Sequence, residues 1–140
     1  MKEKKNIVNL LLILGMLWFV FGCSGSKKQT TDSEPVNFTL HAAELVREFE
    51  ENEARANQLY LGKRVRIHGT VNTVQSDKGG FILTFKTSVS TYSPVQCYFS
   101  EAYSEQVAQI KENQEATVEG TVRGFRDSKF SFVLDGCSVP

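Results

Sequence analysis

At Lys63 the hydrophobic pattern changes period, from three-to-four residues before it to two after it, and it turns helical only once more. Before the switch, Ala42, Leu45, Val46, Phe49, Ala56, Leu59 and Tyr60 recur at helical spacing, which predicts one amphipathic helix capped by Thr39 and stopped by Leu61-Gly62. Its other face carries Glu44, Glu48, Glu51 and Arg55, with Glu51 spaced to pair with Arg55. No His or Cys stands beside these carboxylates at ligand spacing, so they read as a solvated face. After the switch, Val65, Ile67 and Val71 alternate with Arg64, Arg66, His68, Thr70 and Asn72 in a first strand that runs from Lys63 to Val74. Ser76 to Gly80 is a turn, 81–86 a second strand, and Val95 to Phe99 a third after the Pro94 break. Ala102, Tyr103, Val107 and Ile110 mark a helix between Ser100 and Lys111. Ala116–Phe125 and Phe130–Leu134 complete five strands.

Strand, strand, strand, helix, strand, strand is the order of an OB-fold barrel, here mainly β and preceded by an N-terminal amphipathic helix. Gly69 and Gly120 fall inside strands one and four, where glycine marks a bend or a bulge that a small closed barrel requires. Composition agrees: 23% charged and 11% aromatic residues in 140 exclude a collagen, a wholly disordered chain and a polytopic membrane protein. Sixteen basic and sixteen acidic side chains argue against a strongly basic nucleic-acid binder.

Residues 1–22 read as an address. Lys2, Lys4 and Lys5 precede an apolar run that ends at Val20-Phe21-Gly22-Cys23, and the chain then turns abruptly to Ser-Gly-Ser-Lys-Lys. This resembles a bacterial lipoprotein lipobox, which implies lipidation (palmitate among the acyl groups) of Cys23 as the new N-terminus. Two or more acyl chains hold a protein firmly at a bilayer. The chain from Cys23 onward carries 13 basic and 15 acidic residues, a net −2, so the lipid and not charge would retain it. Residues 23–37, rich in Ser, Thr, Lys and Gln, form the lipidated cysteine and a flexible tether. Residues 38–140 form the folded domain, outside the cytoplasm in the cell envelope or periplasm.

Ala43-Glu44-Leu45, Glu48-Phe49-Glu50, Asn52-Glu53, Ala56-Asn57, Tyr60, Gly62-Lys63 and Gly69-Thr70-Val71, with Cys97-Tyr98-Phe99, Val118-Glu119-Gly120 and Asp135-Gly136-Cys137, resemble the tRNA_anti-like family of bacterial OB-fold lipoproteins. The likeness spans roughly residues 40–138. It implies the fold and an envelope location, and it places no catalytic residue on this chain. Cys97 lies on strand three and Cys137 just past strand five, neighbours in such a barrel. In an oxidising compartment an even pair reads as a disulfide, with two buried thiols as the alternative.

His41 and His68 sit in no catalytic motif and read as surface residues. No metal site and no cofactor are expected, and catalysis is not. OB barrels bind on the face of strands two and three, between the loops joining strands one–two and four–five. The candidates there are Arg64, Arg66, Asn72, Lys78, Lys86, Tyr98, Arg123, Phe125, Arg126 and Lys129. With nine basic and eight acidic residues from Lys63 to Pro140, any cationic patch is local. The expected partner besides the membrane is another envelope protein; a carbohydrate or small ligand comes next, and single-stranded nucleic acid last.

Overall fold

The computed structural model describes residues 34–87, 94–127 and 130–140. Six strands form one sheet: β1 (Phe38–His41), β2 (Arg64–Asp77), β3 (Gly80–Phe85), β4 (Val95–Ser100), β5 (Glu115–Arg126) and β6 (Ser131–Ser138). Their order is β1-β2-β3-β4-β6-β5, and β2 also pairs with β5, which closes β2 to β6 into a five-stranded barrel. The long β2 serves both halves, its first part antiparallel to β5 and its second antiparallel to β3. β4 and β6 run parallel, the pairing that makes the sheet mixed. A turn of 3-10 helix (Glu101–Tyr103) and α3 (Ser104–Ala108) fill the slot between β4 and β5, with Val107 buried. This is the expected OB barrel with one added strand.

The N-terminal part differs from its expectation in three ways. Thr39 caps no helix, because 38–41 lie extended as β1, parallel to the start of β2. The cap is His41, whose Nδ1 accepts the Ala43 N–H at 3.2 Å; it is half-buried rather than a surface histidine, and its ring meets the exposed His68 edge-on at 5.2 Å. The expected single helix is two, α1 (Ala42–Glu51) and α2 (Glu53–Tyr60). Asn52 separates them: its side chain accepts the Arg55 N–H at 3.0 Å, so it caps α2 rather than continuing α1. The break changes the pairing of charges and the facing of side chains. Arg55 bonds Glu48, Glu51 faces Arg47 at 3.8 Å, and Leu59 turns outward. The exposed Arg47–Glu51 pair contributes little to stability.

Ala42, Leu45, Val46 and Phe49 bury the inner face of α1 in the barrel core with Val65, Ile67, Phe85, Phe132 and Leu134. Among the described residues no helix is long and apolar enough to cross a membrane.

Strand β6 runs past the expected end at Leu134 because Asp135-Gly136 forms a bulge rather than a turn. Along β4 the register steps from Cys97 to Phe99 while along β6 it steps from Leu134 to Cys137. Gly136 takes φ +58°, a conformation glycine adopts freely. Strict alternation would turn Cys137 outward; the extra residue returns it to the core beside Cys97. Gly120, across on β5, leaves room for it: a Cβ there would lie 2.6 Å from Cys137 Sγ and 3.2 Å from Leu134 Cβ. Both cysteines are free in this structure and buried. Burial, with the Cys137 thiol hydrogen-bonded alongside, pushes the Cys97 thiol well above its ordinary pKa.

Candidate binding face

Strands β3 and β4 build the outer wall on which OB barrels hold ligands. Phe85, Leu83, Cys97 and Phe99 point into the core, so alternation directs Ile82, Thr84, Gln96 and Tyr98 outward. Registration aligns these into two rows. One runs Thr73, Thr84, Gln96, Val133, and the other Gln75, Ile82, Tyr98. The Tyr98 hydroxyl donates to Gln96 Oε1 at 3.2 Å and ties the rows together. Neither row contains a charge. Thr84 and Val133 are buried, so what the wall offers outward is the Tyr98 ring, the Ile82 side chain and the neutral amide and hydroxyl groups of Gln75, Gln96 and Thr73.

The sequence candidates divide around it. Tyr98 stands on the wall. Lys78 is exposed on the β2–β3 hairpin at one end, and Arg126 is exposed where β5 reaches its hairpin at the other. Lys129 lies outside the described residues. Asn72 is exposed at the β2 irregularity, where its register with β3 shifts. Lys86 Nζ donates to Asn113 Oδ1 at 2.6 Å, away from the rows. Arg123 faces Asp135 at 3.6 Å, both half-exposed. The Phe125 ring packs edge-on against Phe49 and Phe132, at 6.1 and 5.3 Å between centroids, so it supports the core rather than a stacked ligand.

Arg64 and Arg66 belong to a different cluster, on the wall of β2 and β5. Arg66 donates to Glu119 Oε1 from Nε at 2.9 Å and from Nη2 at 2.6 Å. Arg64 donates to the Gly136 carbonyl at 3.2 Å and to the Ser138 hydroxyl, and its Nη2 lies 3.7 Å from Glu119 Oε2. The side chains of Arg64 and Glu119 are each only 10% exposed. Two of the binding-face candidates thus share one carboxylate, and Arg64 also clamps the C-terminal end of β6. Sequence spacing could not show this, because Arg66 and Glu119 are 53 residues apart and meet only through the β2–β5 register. Among the described residues no cluster of three or more His, Cys, Asp or Glu could hold a metal ion.

A closed five-stranded barrel with a helix between its third and fourth strands, and an uncharged outer wall on its second and third, defines an OB-type binding domain. The family model for tRNA_anti-like proteins matches residues 1–135, and the chain belongs to that family. Among solved structures it is similar to a Klebsiella pneumoniae subsp. pneumoniae protein described as a "putative nucleic acid-binding lipoprotein", at 25% identity and TM-score 0.61, over 73% of this chain and 90% of that one. Weaker likenesses are to the OBody AM3L09 bound to hen egg-white lysozyme (12% identity, 56% and 82% of the two chains, TM-score 0.43) and to the S. pombe Stn1-ten1 complex (15%, 55% and 57%, TM-score 0.39). No curated protein matches the sequence.

Proposed function

We propose that the chain is a lipid-anchored, non-catalytic binding protein of the bacterial cell envelope, held by Cys23 and docking another envelope protein on the β3–β4 wall. The observation that carries this reading is the pair of charge-free rows around Tyr98, Gln96 and Ile82, combined with the engagement of Arg64 and Arg66 by Glu119. Aromatic, aliphatic and neutral polar groups suit the centre of a protein interface, where charge is depleted. A polyphosphate ligand would call for free cations along the groove. Single-stranded nucleic acid is the second reading. It is favoured by the description of the Klebsiella protein and by Lys78 and Arg126, exposed at the two hairpins. Crosslinking from Tyr98 in intact cells separates the two.

The same reading includes a disulfide between Cys97 and Cys137, supported by their side-by-side burial on β4 and β6 and by the bulge that aims Cys137 inward. Two thiols lose two protons and two electrons to a disulfide-donating oxidoreductase as the exported chain folds, before burial shields them. The intact mass of protein extracted from membranes tests anchor and bridge together. The expected species begins at Cys23, carries a diacylglyceryl group, and is two hydrogens lighter than the dithiol. A precursor beginning at Met1 without lipid contradicts the anchor, and retention of both thiol hydrogens contradicts the bridge.

A further inference from the structure

Three large hydrophobic side chains are exposed among the described residues: Leu59 at 42%, Leu61 at 47% and Phe130 at 63%. All three belong to one end of the barrel. Leu61 lies over Gly124, its Cδ1 3.6 Å from where a Cβ would stand, and Gly62 N–H donates to the Val122 carbonyl at 2.9 Å. From Gly124 the β5–β6 ladder has only two more rungs, Phe125 with Phe132 and Arg126 with Ser131, before the hairpin that carries Phe130. Leu59 precedes Leu61 by two residues, in the last turn of α2. Lys63 and Arg126, both exposed, flank the group.

The chain joins the domain at this same end. Asn37 N–H donates to the Arg64 carbonyl at 2.8 Å, and Phe38 pairs with Val65 at the start of β2 and meets the Tyr60 ring at 5.0 Å. Only ten residues lie between Cys23 and Glu34. Even fully extended, they reach no more than roughly 40 Å.

We infer that this end of the barrel rests on the bilayer surface, with Leu59, Leu61 and Phe130 entering the headgroup boundary and Lys63 and Arg126 facing anionic lipid phosphates. The inference rests on the proposed Cys23 anchor. Apolar side chains rimmed by cations suit such an interface, and a short tether raises their effective concentration at it. The β2–β3 hairpin lies at the far end of the β3–β4 ladder, where Gly80 pairs with Ser100, whereas Val95 pairs with Phe132 and Phe132 with Phe125, one rung from the β5–β6 hairpin. The wall with Tyr98 then rises from the membrane and stays open to a partner.

The single Trp of the sequence, Trp18, lies in the leader, so the chain from Cys23 onward offers a dark background. Lipidated Phe130→Trp and Lys78→Trp proteins are reconstituted in vesicles of phosphatidylethanolamine and phosphatidylglycerol, with and without acyl-chain bromination. The Phe130→Trp fluorophore is expected to shift to the blue and lose intensity in brominated vesicles, and the Lys78→Trp fluorophore to do neither. Adding Leu59→Gln and Leu61→Gln is expected to reduce the quenching of the first. Protein that floats with the vesicles yet shows equal or no quenching at the two positions overturns the orientation alone. Protein that fails to float removes the anchor, and the orientation with it.

Discussion

Gly120→Val is expected to lower the melting temperature of the reduced protein by roughly 10 °C or more, read by circular dichroism of the full chain in detergent. A valine places its Cβ 2.6 Å from Cys137 Sγ and 3.2 Å from Leu134 Cβ, and two further methyl groups beyond that. Neither neighbour can retreat easily. Cys137 is held inward by the Gly136 bulge, and Leu134 sits in the core between β4 and β5. Overpacking of this kind costs about 3 kcal/mol at the upper end of its usual range. Two companions isolate the cause. Gly120→Ala alone keeps the sulfur clash, whereas Gly120→Ala with Cys137→Ala removes it and is expected to fall by less than the sum of the single changes. An unchanged midpoint for Gly120→Val would contradict the barrel packing described above.

The second large effect is expected from Glu119→Ala, at about 3 kcal/mol of lost stability in urea unfolding, because it strands the buried Arg64 guanidinium without a counter-charge. Arg64 keeps its bonds to the Gly136 carbonyl and the Ser138 hydroxyl, but those acceptors carry no full charge. Arg66, 44% exposed at its side chain, can turn to solvent and adds little. Combining Glu119→Leu with Arg64→Met replaces the pair with apolar groups of similar volume and is expected to recover most of the loss. A change below about 0.5 kcal/mol for Glu119→Ala would show that water reaches the cluster and that it clamps nothing.

The barrel was legible because its strands alternate cleanly. Val65, Ile67 and Val71, or Leu83 and Phe85, carry the period of two without tertiary help, and the helical slot at Val107 breaks it in the right place. Tyr98 was legible as an outward residue for the same reason. β1 was not, since Phe38-Thr39-Leu40-His41 is four residues long and becomes a strand only by pairing with the free edge of β2. The break at Asn52 did leave a signal. Asparagine is a strong cap and a poor interior residue, and Glu53 follows it in the first turn of α2, yet the apolar spacing ran across it. Arg64 and Arg66 left the expected binding face for a deeper reason. Composition counts cations, whereas availability depends on which carboxylate each one faces, and Glu119 meets Arg64 and Arg66 only once the register between β2 and β5 is known.

The most direct test of the binding wall is photo-crosslinking in intact cells from benzoylphenylalanine placed at Tyr98, with Arg47 on the exposed side of α1 as the comparison site. The account predicts one discrete, protease-sensitive adduct from Tyr98 and none from Arg47. Absence of an adduct from Tyr98, or one from Arg47 alone, would contradict the wall as the binding site. A nuclease-sensitive adduct from Tyr98 would keep the wall and transfer it from a protein partner to nucleic acid.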